Sequence, residues 1–585
     1  EVKVFDTSFY EDIMTEGHNK KITSGSYQCI DYSHIGIKIN NNSSSQDLLK
    51  LIEDYQPDLI GFSVYVYGEK KADLLAQAIK TRFSQIPIIY GGPQTTLQSE
   101  RIIKQDWVDI ICRGEGEKAL LSLCNAIEAK TSFDHVPNLW VKKNNGTIIK
   151  NNIGSFIDPN EIPVPDWSNY DPKHFYGPIE GKIYKLATVE YGRGCPYKCS
   201  YCEGVQINKI YSDAGIKGLV RHKSPDRFVD ECVYLVKNYG IDYFYIVDGT
   251  FLTMSTSHLK ELAQLYKEKV NRPFLCLTTV NSITEERAQL LKKMNCDQVN
   301  FGVEAGGEQY RKDVLNRPNM SDEMIVNALE LLRKYGIKTS TYNMIGLPWQ
   351  DRNDVFNTIR LLRKANPDYI KVSIFVPYES TPLAERLRKE GYILEDQILG
   401  EGATATVKVP CDMTLEEIQG LYRTFILYCR APIELYPLIT ACEEESKENT
   451  VELEKLKQIA REFIVKETLE REKSSKQPSF LDNEKFEERL KNIDLAAIEK
   501  QKKNLGRKPK ITLKDVTKED KISLAELKED SRIIEGIHDV AGHVYDLFGY
   551  DQLLKRKYDQ ELLKDLVLMR LAEPSSKLKA QQMLQ

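Results

Sequence analysis

No apolar run in this 585-residue chain approaches the ~20 residues that a membrane-spanning helix needs, so the sequence predicts no bilayer span. Neither sign of charge is in excess: 81 Lys and Arg stand against 86 Asp and Glu, a net charge of −5, which argues against a protein built as a whole to bind polyanions. Cysteine is sparse. The twelve residues are scattered without the grouping of a small disulfide framework, which points to free thiols in a reducing compartment, by default the cytoplasm. No charged leader or apolar signal region opens the chain. The first residue is Glu1 rather than Met, and Glu1 to Asp6 reads as a short strand, so the expectation is a fragment. The length suggests roughly three to four domains.

Against that background one stretch stands out: Tyr191-Gly192-Arg193-Gly194-Cys195-Pro196-Tyr197-Lys198-Cys199-Ser200-Tyr201-Cys202, a C-x3-C-x2-C spacing inside a glycine- and proline-broken loop. Structural zinc takes a closed set of four ligands and iron-sulfur clusters are usually held by four thiolates, so three cysteines suggest a cluster with one iron open. A zinc knuckle or three unrelated thiols are the alternatives. The stretch resembles the signature loop of the radical S-adenosylmethionine (radical SAM) superfamily. That resemblance implies a [4Fe-4S] cluster on Cys195, Cys199 and Cys202, with SAM on the open iron and cleaved by one electron to a 5′-deoxyadenosyl radical. It also implies an electron donor such as flavodoxin or ferredoxin.

Ahead of the cysteines, three nearly continuous apolar runs read as strands: Asp58 to Val66, Ile86 to Pro93, and Val108 to Glu117. With amphipathic segments such as Lys70 to Phe83 between them, they predict a doubly wound parallel sheet covered on both faces. Ligands of such sheets lie beyond the carboxyl ends of the strands, where Ser63, Gly91, Gly92, Pro93, Gly114 and Glu115 fall. Gly91 to Thr96 and Gly114 to Glu117 resemble turns of the cobalamin-binding domain that precedes many radical SAM domains. On that resemblance the first strand is missing here. The string D-x-H-x-x-G does not occur, since Asp31 to Gly36 and Asp171 to Gly177 both have other spacings, so cobalamin is expected without a protein histidine from that motif. His34 and His174 read as surface or core residues.

After the cysteines, helix and strand alternate to about Pro377, with strands at Tyr243 to Asp248, Phe274 to Thr278, Gln298 to Glu304, Ser340 to Gly346 and Tyr369 to Val376. Alternation of this kind predicts a partial barrel with its chemistry at the strand carboxyl ends, near Asp248, Thr279, Asn281, Glu304, Asn343 and Pro348. The radical SAM resemblance runs from about Lys185 to Glu390. On it, Asp248 lies near the SAM amino group, Gly302-Val303-Glu304-Ala305-Gly306 is the family's strand end, and Asn343 to Pro348 lies near the adenine. For Glu304, a SAM contact and a buried structural carboxylate both stand. Cys232, Cys276 and Cys296 read as small packed hydrophobes.

Leu383 to about Glu470 is helix-rich, with Met413 to Tyr428 amphipathic, and resembles the helical tail of cobalamin-dependent relatives. Arg471 to Ser479 is polar and reads as a linker by composition. Beyond it lie a basic run, Gln501 to Lys510, and a pair of histidines, His538 and His543, which read as ordinary polar residues. The string Leu571-Ala572-Glu573-Pro574-Ser575-Ser576-Lys577-Leu578 resembles the amino-terminal region of insertion-sequence transposases. A helical extension native to the enzyme is the alternative.

The expected order is a cobalamin-binding domain over residues 1–140, a linker over 141–184, a radical SAM domain over 185–390, a helical region over 391–470, and a linker with a transposase-like segment over 471–585. The resemblance implies cobalamin and SAM as cofactors and methyl transfer to an unactivated carbon of a small-molecule or peptide substrate. A cobalamin-dependent radical cyclase or rearrangement enzyme, or a truncated DNA-binding transposase fusion, is the alternative. Nucleic acid is expected only through the tail.

Overall fold

A computed structural model describes residues 1–8, 10–11, 32, 35–179, 181–393, 410–446 and 449–460. The chain forms two compact units, Glu1–Cys429 and Arg430–Gln585.

Among the described residues, the first unit holds two large sheets and a two-stranded one. The amino-terminal one follows α1 (Ser44–Tyr55) and contains β1 (Ile60–Ser63), α2 (Glu69–Arg82), β2 (Ile88–Gly91), the short helices α3 (Pro93–Leu97) and α4 (Ser99–Ile102), β3 (Ile110–Cys112) and α5 (Glu117–Glu128). β1, β2 and β3 pair in parallel. β4 (Leu139–Lys142) and β5 (Ile148–Lys150) extend the sheet antiparallel. The apolar runs are continuous because each face needs its own set of side chains. Ile88, Tyr90 and Ile111 pack with Ile52 of α1 and Leu75 and Ile79 of α2. Ile89, Ile110 and Cys112 point the other way, against Ala119 and Leu123 of α5.

The second sheet is larger. It is built from β6 (Tyr176–Ile179), β7 (Lys182–Val189), β10 (Tyr243–Ile246), β11 (Phe274–Thr278), β12 (Cys296–Glu304), β13 (Lys338–Ile345) and β14 (Tyr369–Ile374). Its order is β14-β13-β12-β11-β10-β7-β6, parallel throughout except for the β6–β7 hairpin. Between β7 and β10 come β8 (Gly192–Arg193), α6 (Glu203–Asp213), β9 (Arg221–His222) and α7 (Pro225–Tyr239). The later crossovers carry α8 (Thr256–Lys269), α9 (Glu285–Lys293), α10 (Glu308–Asp313), α11 (Asp322–Lys334) and α12 (Arg352–Ala365).

Helix starts are written in the sequence. Ser224, Ser255, Thr284, Ser321 and Asp351 each cap a crossover helix by accepting a backbone N–H in its first turn. Such a cap contributes about 1 kcal/mol. Apolar and polar side chains alternate along β12: Val299, Phe301 and Val303 join the core formed with Phe228, Leu259, Leu291 and Leu329 of the helices. Gln298, Asn300, Gly302 and Glu304 therefore face the concave side. This is a mainly parallel α/β sheet followed by a partial barrel, with six parallel strands delivering their carboxyl ends to one side.

Beyond β14 come α13 (Pro382–Lys389) and α14 (Leu415–Arg430), and the second unit contains α15 (Tyr436–Ala441). Two expectations need correction or placement. Glu1 to Asp6 is not a strand; Asp6 instead hydrogen-bonds His174 Nδ1 at 2.9 Å, so His174 is a half-buried partner. His34, the polar linker, the basic run, His538, His543 and the transposase-like string lie outside the described residues. Cys232, Cys276 and Cys296 are buried, as their apolar neighbours predict. Among the described residues, no helix is long and apolar enough to cross a membrane.

Candidate active site

The three cysteines lie on the loop that leaves β7 and enters α6, at the carboxyl side of the barrel sheet. The loop is held by its backbone. Asn208 donates to the Cys195 carbonyl at 3.1 Å, Asn316 to the Lys198 carbonyl at 2.6 Å, and Ser200 N–H to the Leu315 carbonyl at 3.1 Å. Gly194 has φ +87°, and a Cβ there would collide with the Leu219 carbonyl, so the Gly before Cys195 is required by the turn. With the carbonyls engaged, the thiols of Cys195, Cys199 and Cys202 are left free and unbridged. Burial pushes all three thiols up, Cys202 to about 11, while the Tyr197 and Gly204 amides pull Cys195 and Cys202 the other way. Among the described residues, no three His, Cys, Asp or Glu side chains converge on one ion position. Structural zinc takes a closed set of four ligands, whereas a [4Fe-4S] cluster can be held by three thiolates with one iron left open. The donor set fits the cluster better than zinc.

Asp248, fully buried after β10, accepts Tyr191 N–H on one carboxylate oxygen and Gly192 N–H on the other, both at 2.8 Å. Burial raises its pKa to about 7, the two amides acting against that rise. Its visible role is to fix the entry of the cysteine loop. Thr279 and Asn281, after β11, both reach Tyr197 of that loop: Thr279 Oγ1 donates to the Tyr197 hydroxyl at 3.1 Å, and that hydroxyl donates to Asn281 Oδ1 at 3.4 Å.

Glu304 ends β12 with φ +68°, a left-handed conformation unusual for a side-chain-bearing residue. Its carboxylate accepts the Tyr201 hydroxyl at 3.0 Å and lies 3.7 Å from Arg317 Nη1. Burial pushes it up, with Arg317 and Tyr201 opposing. The family-like string around it has a steric basis. A Cβ on Gly302 would occupy the space of the Glu304 carboxylate, and one on Gly306 would meet the α12 backbone at Asn357 at 2.5 Å. Asn343 is buried in β13. Its Nδ2 donates to the Lys371 carbonyl at 2.9 Å, while its Oδ1 is buried without a hydrogen-bond partner. Leaving such an acceptor unmatched costs about 1–3 kcal/mol, which suits a donor brought by a ligand.

In the amino-terminal sheet, Ser63, Gly91, Gly92 and Pro93 stand together at the ends of β1 and β2. Gly92 has φ +99°, and a Cβ there would lie 2.6 Å from the Val64 carbonyl. Gly114 and Glu115 follow β3, where Gly114 N–H donates to Thr96 Oγ1 at 2.8 Å, beside the turn after β2. Gly114 packs under the Tyr211 hydroxyl of α6, and Glu115 is held by Arg221, at 2.6 and 3.2 Å, and by Ile157 N–H at 2.8 Å. Glu115 was expected among ligand-facing groups. In the structure its carboxylate lies against two guanidinium groups, those of Arg221 and Arg193.

Sequence reasoning missed Arg193, Arg221, Tyr211, Tyr201 and Arg317. The first and fourth sit inside the cysteine motif, but nothing in a linear pattern pairs Arg193 with an acid 78 positions earlier or Tyr201 with one 103 positions later.

Residues 189–362 match the radical SAM superfamily and residues 26–123 match the B12 binding domain. An uncharacterised methyltransferase of Pyrococcus horikoshii is 23% identical over 385 residues, 65% of this chain and 77% of that protein. An anaerobic magnesium-protoporphyrin IX monomethyl ester cyclase of Rubrivivax gelatinosus is 25% identical over 360 residues, 60% of this chain and 62% of that one. Among solved structures, the cobalamin-dependent S-adenosylmethionine radical enzyme OxsB with aqua-cobalamin bound superimposes with a TM-score of 0.52 at 14% identity, over 90% of this chain and 77% of that one. None of these matches supports a transposase-like tail. The chain carries a B12-binding domain followed by a radical SAM domain, and the cofactors those two domains specify are a [4Fe-4S] cluster, S-adenosylmethionine and cobalamin.

Proposed function

We propose that the protein is a cobalamin-dependent radical SAM methyltransferase that places a methyl group on an unactivated carbon. The observation that carries this reading is the meeting of the two sets of strand ends. The turn after β3 is fastened to the cysteine loop through Glu115. On another side, the Tyr67 and Tyr378 hydroxyls stand 2.6 Å apart and Gln98 donates to Ser380 at 2.6 Å. Groups bound at the two ends would therefore share one substrate.

When bound, the cluster with SAM supplies a hydrogen-abstracting carbon radical and cobalamin supplies a methyl group. The chain's own work is to hold and orient. Cys195, Cys199 and Cys202 would hold the cluster; Thr279, Asn281, Glu304 and Asn343 would contact SAM; Asp248 would act through the loop it anchors. Ser63, Gly91, Gly92, Pro93 and Gly114 would lie against the cobalamin, with small side chains permitting close approach. The substrate is a small molecule or peptide, and flavodoxin or ferredoxin chemistry would deliver the electron.

The test is anaerobic reconstitution followed by incubation with SAM, reductant and candidate substrates. About four irons per chain, lost in the Cys195→Ala, Cys199→Ala, Cys202→Ala triple variant, and a product heavier by one methyl group are the expected results. Iron retained by the triple variant would sink the assignment of the cysteines. A second reading, a radical cyclase, is favoured by the similarity to the magnesium-protoporphyrin IX monomethyl ester cyclase; it predicts SAM cleavage and a product without an added methyl.

A further inference from the structure

The turn Gly114-Glu115-Gly116-Glu117 is enclosed by groups from the barrel side. Arg193, two positions before Cys195, lies 2.7 Å from Glu117, 3.5 Å from Glu115 and 2.8 Å from Glu190. Arg221, which neighbours Arg193 across the β8–β9 pair, takes the Glu115 carboxylate with two nitrogens at 2.6 and 3.2 Å. Tyr211, on the helix that follows the cysteines, accepts Glu115 N–H at 2.9 Å. Phe156 stacks on the Tyr211 ring with centroids 4.1 Å apart, and the Arg221 guanidinium lies over the Phe156 ring, 4.1 Å from its centroid. The Glu115, Arg193 and Arg221 side chains are 16–20% exposed, so solvent screens these charges weakly.

We propose that Glu115 and Arg193, seconded by Arg221 and Glu117, form a positioning clamp through which the B12-binding domain sets the placement of the cysteine loop. The inference rests on the reading that both domains serve one reaction. A loop with glycines at 192 and 194 does not hold one geometry by itself. A guanidinium fork shared among three carboxylates fixes direction as well as distance, which a lysine cannot reproduce. Clamping the loop from the other domain is a direct way to keep two bound cofactors in register, where an error of about 1 Å can cost ~100-fold in rate. Arg193 and Glu115 are positioning residues, acting through the loop.

The full-length protein is tested as Glu115→Gln, Glu117→Gln and Arg193→Lys. In the apo form, amide hydrogen exchange of residues 191–202 is followed against that of β12. The expected result is exchange about tenfold faster in the cysteine loop of Glu115→Gln, an intermediate effect in Arg193→Lys, and no change in β12. In the reconstituted form, 5′-deoxyadenosine released per methylated product should rise at least about fivefold at unchanged iron content. Unchanged loop exchange overturns the clamp. If Glu115→Gln loosens β12 as well, Glu117→Gln, at the more exposed end of the cluster, decides: loop exchange accelerated alone supports the clamp, and wild-type exchange overturns it. A wild-type enzyme that cleaves SAM and methylates nothing would defeat the methyltransferase reading, and the exchange measurement would still decide the clamp.

Discussion

Asp248 does two things at once that no single neutral residue can match: each carboxylate oxygen accepts one backbone amide at the start of the cysteine loop. Asp248→Asn keeps one acceptor and sets an NH2 group against the second amide. The expected cost is about 1–3 kcal/mol, concentrated in the loop, and iron per chain after reconstitution should fall. Wild-type iron content in that variant would remove Asp248 from the loop's support. A second prediction concerns Asp6 and His174. The hydrogen bond to Asp6 raises the His174 pKa, so its stabilisation is full below the ordinary histidine value near ~6.5 and is lost as pH rises through the raised value. Hydrogen bonding to His174 holds Asp6 at about 2, so that contribution is present above ~3.9 and is lost as pH falls toward 2. The pair should therefore contribute most between about pH 4 and 6.5. The wild-type advantage in Tm over His174→Gln should be larger at pH 5.5 than at pH 9, and an advantage independent of pH would exclude an ionic contribution.

The strand-end turns are elements whose conformation depends on missing side chains. At Gly92, φ of +99° and the Val64 carbonyl, 2.6 Å from a would-be Cβ, act together. Gly92→Ala should cost about 2 kcal/mol or more, seen as a lowered Tm, and should weaken cobalamin binding in an optical titration. A variant with wild-type Tm would mean that the turn can relax around the methyl group. Several elements were legible because burial enforces their pattern. Ile88 to Tyr90 is apolar at every position since helices cover both faces, and β12 alternates since one face is packed by helices. The β6–β7 hairpin, Tyr176 to Val189, was not legible: Lys182-Ile183-Tyr184-Lys185 mixes charge with apolar residues in no clear period, and the strand identity of β7 comes from pairing, its first half with β6 and its second with β10.

In the whole molecule, both sheets and the cysteine loop fall within Glu1–Cys429. From its polar composition we propose Arg471 to Ser479 as a linker, and a segment beyond a linker is expected to share few buried contacts with the domains before it. A chain ending at Gln477 is expected to retain its iron and to cleave SAM to 5′-deoxyadenosine under reducing conditions. Loss of cleavage in that truncation, with the full chain active, would make the remaining residues part of the enzyme.

The cysteine spacing, the glycine turns and the strand-helix alternation stand in the sequence itself, because each is a local requirement of metal ligation, backbone conformation or packing, and they carried the resemblance that implied the two domains and their cofactors. The direction of Glu115 and the roles of Arg193, Arg221 and Tyr211 were decided by tertiary structure alone. Charge pairs carry no sequence period; which acid meets which guanidinium depends on how the two sheets are docked, and that docking brings Glu115 to 2.6 Å from a residue 106 positions away.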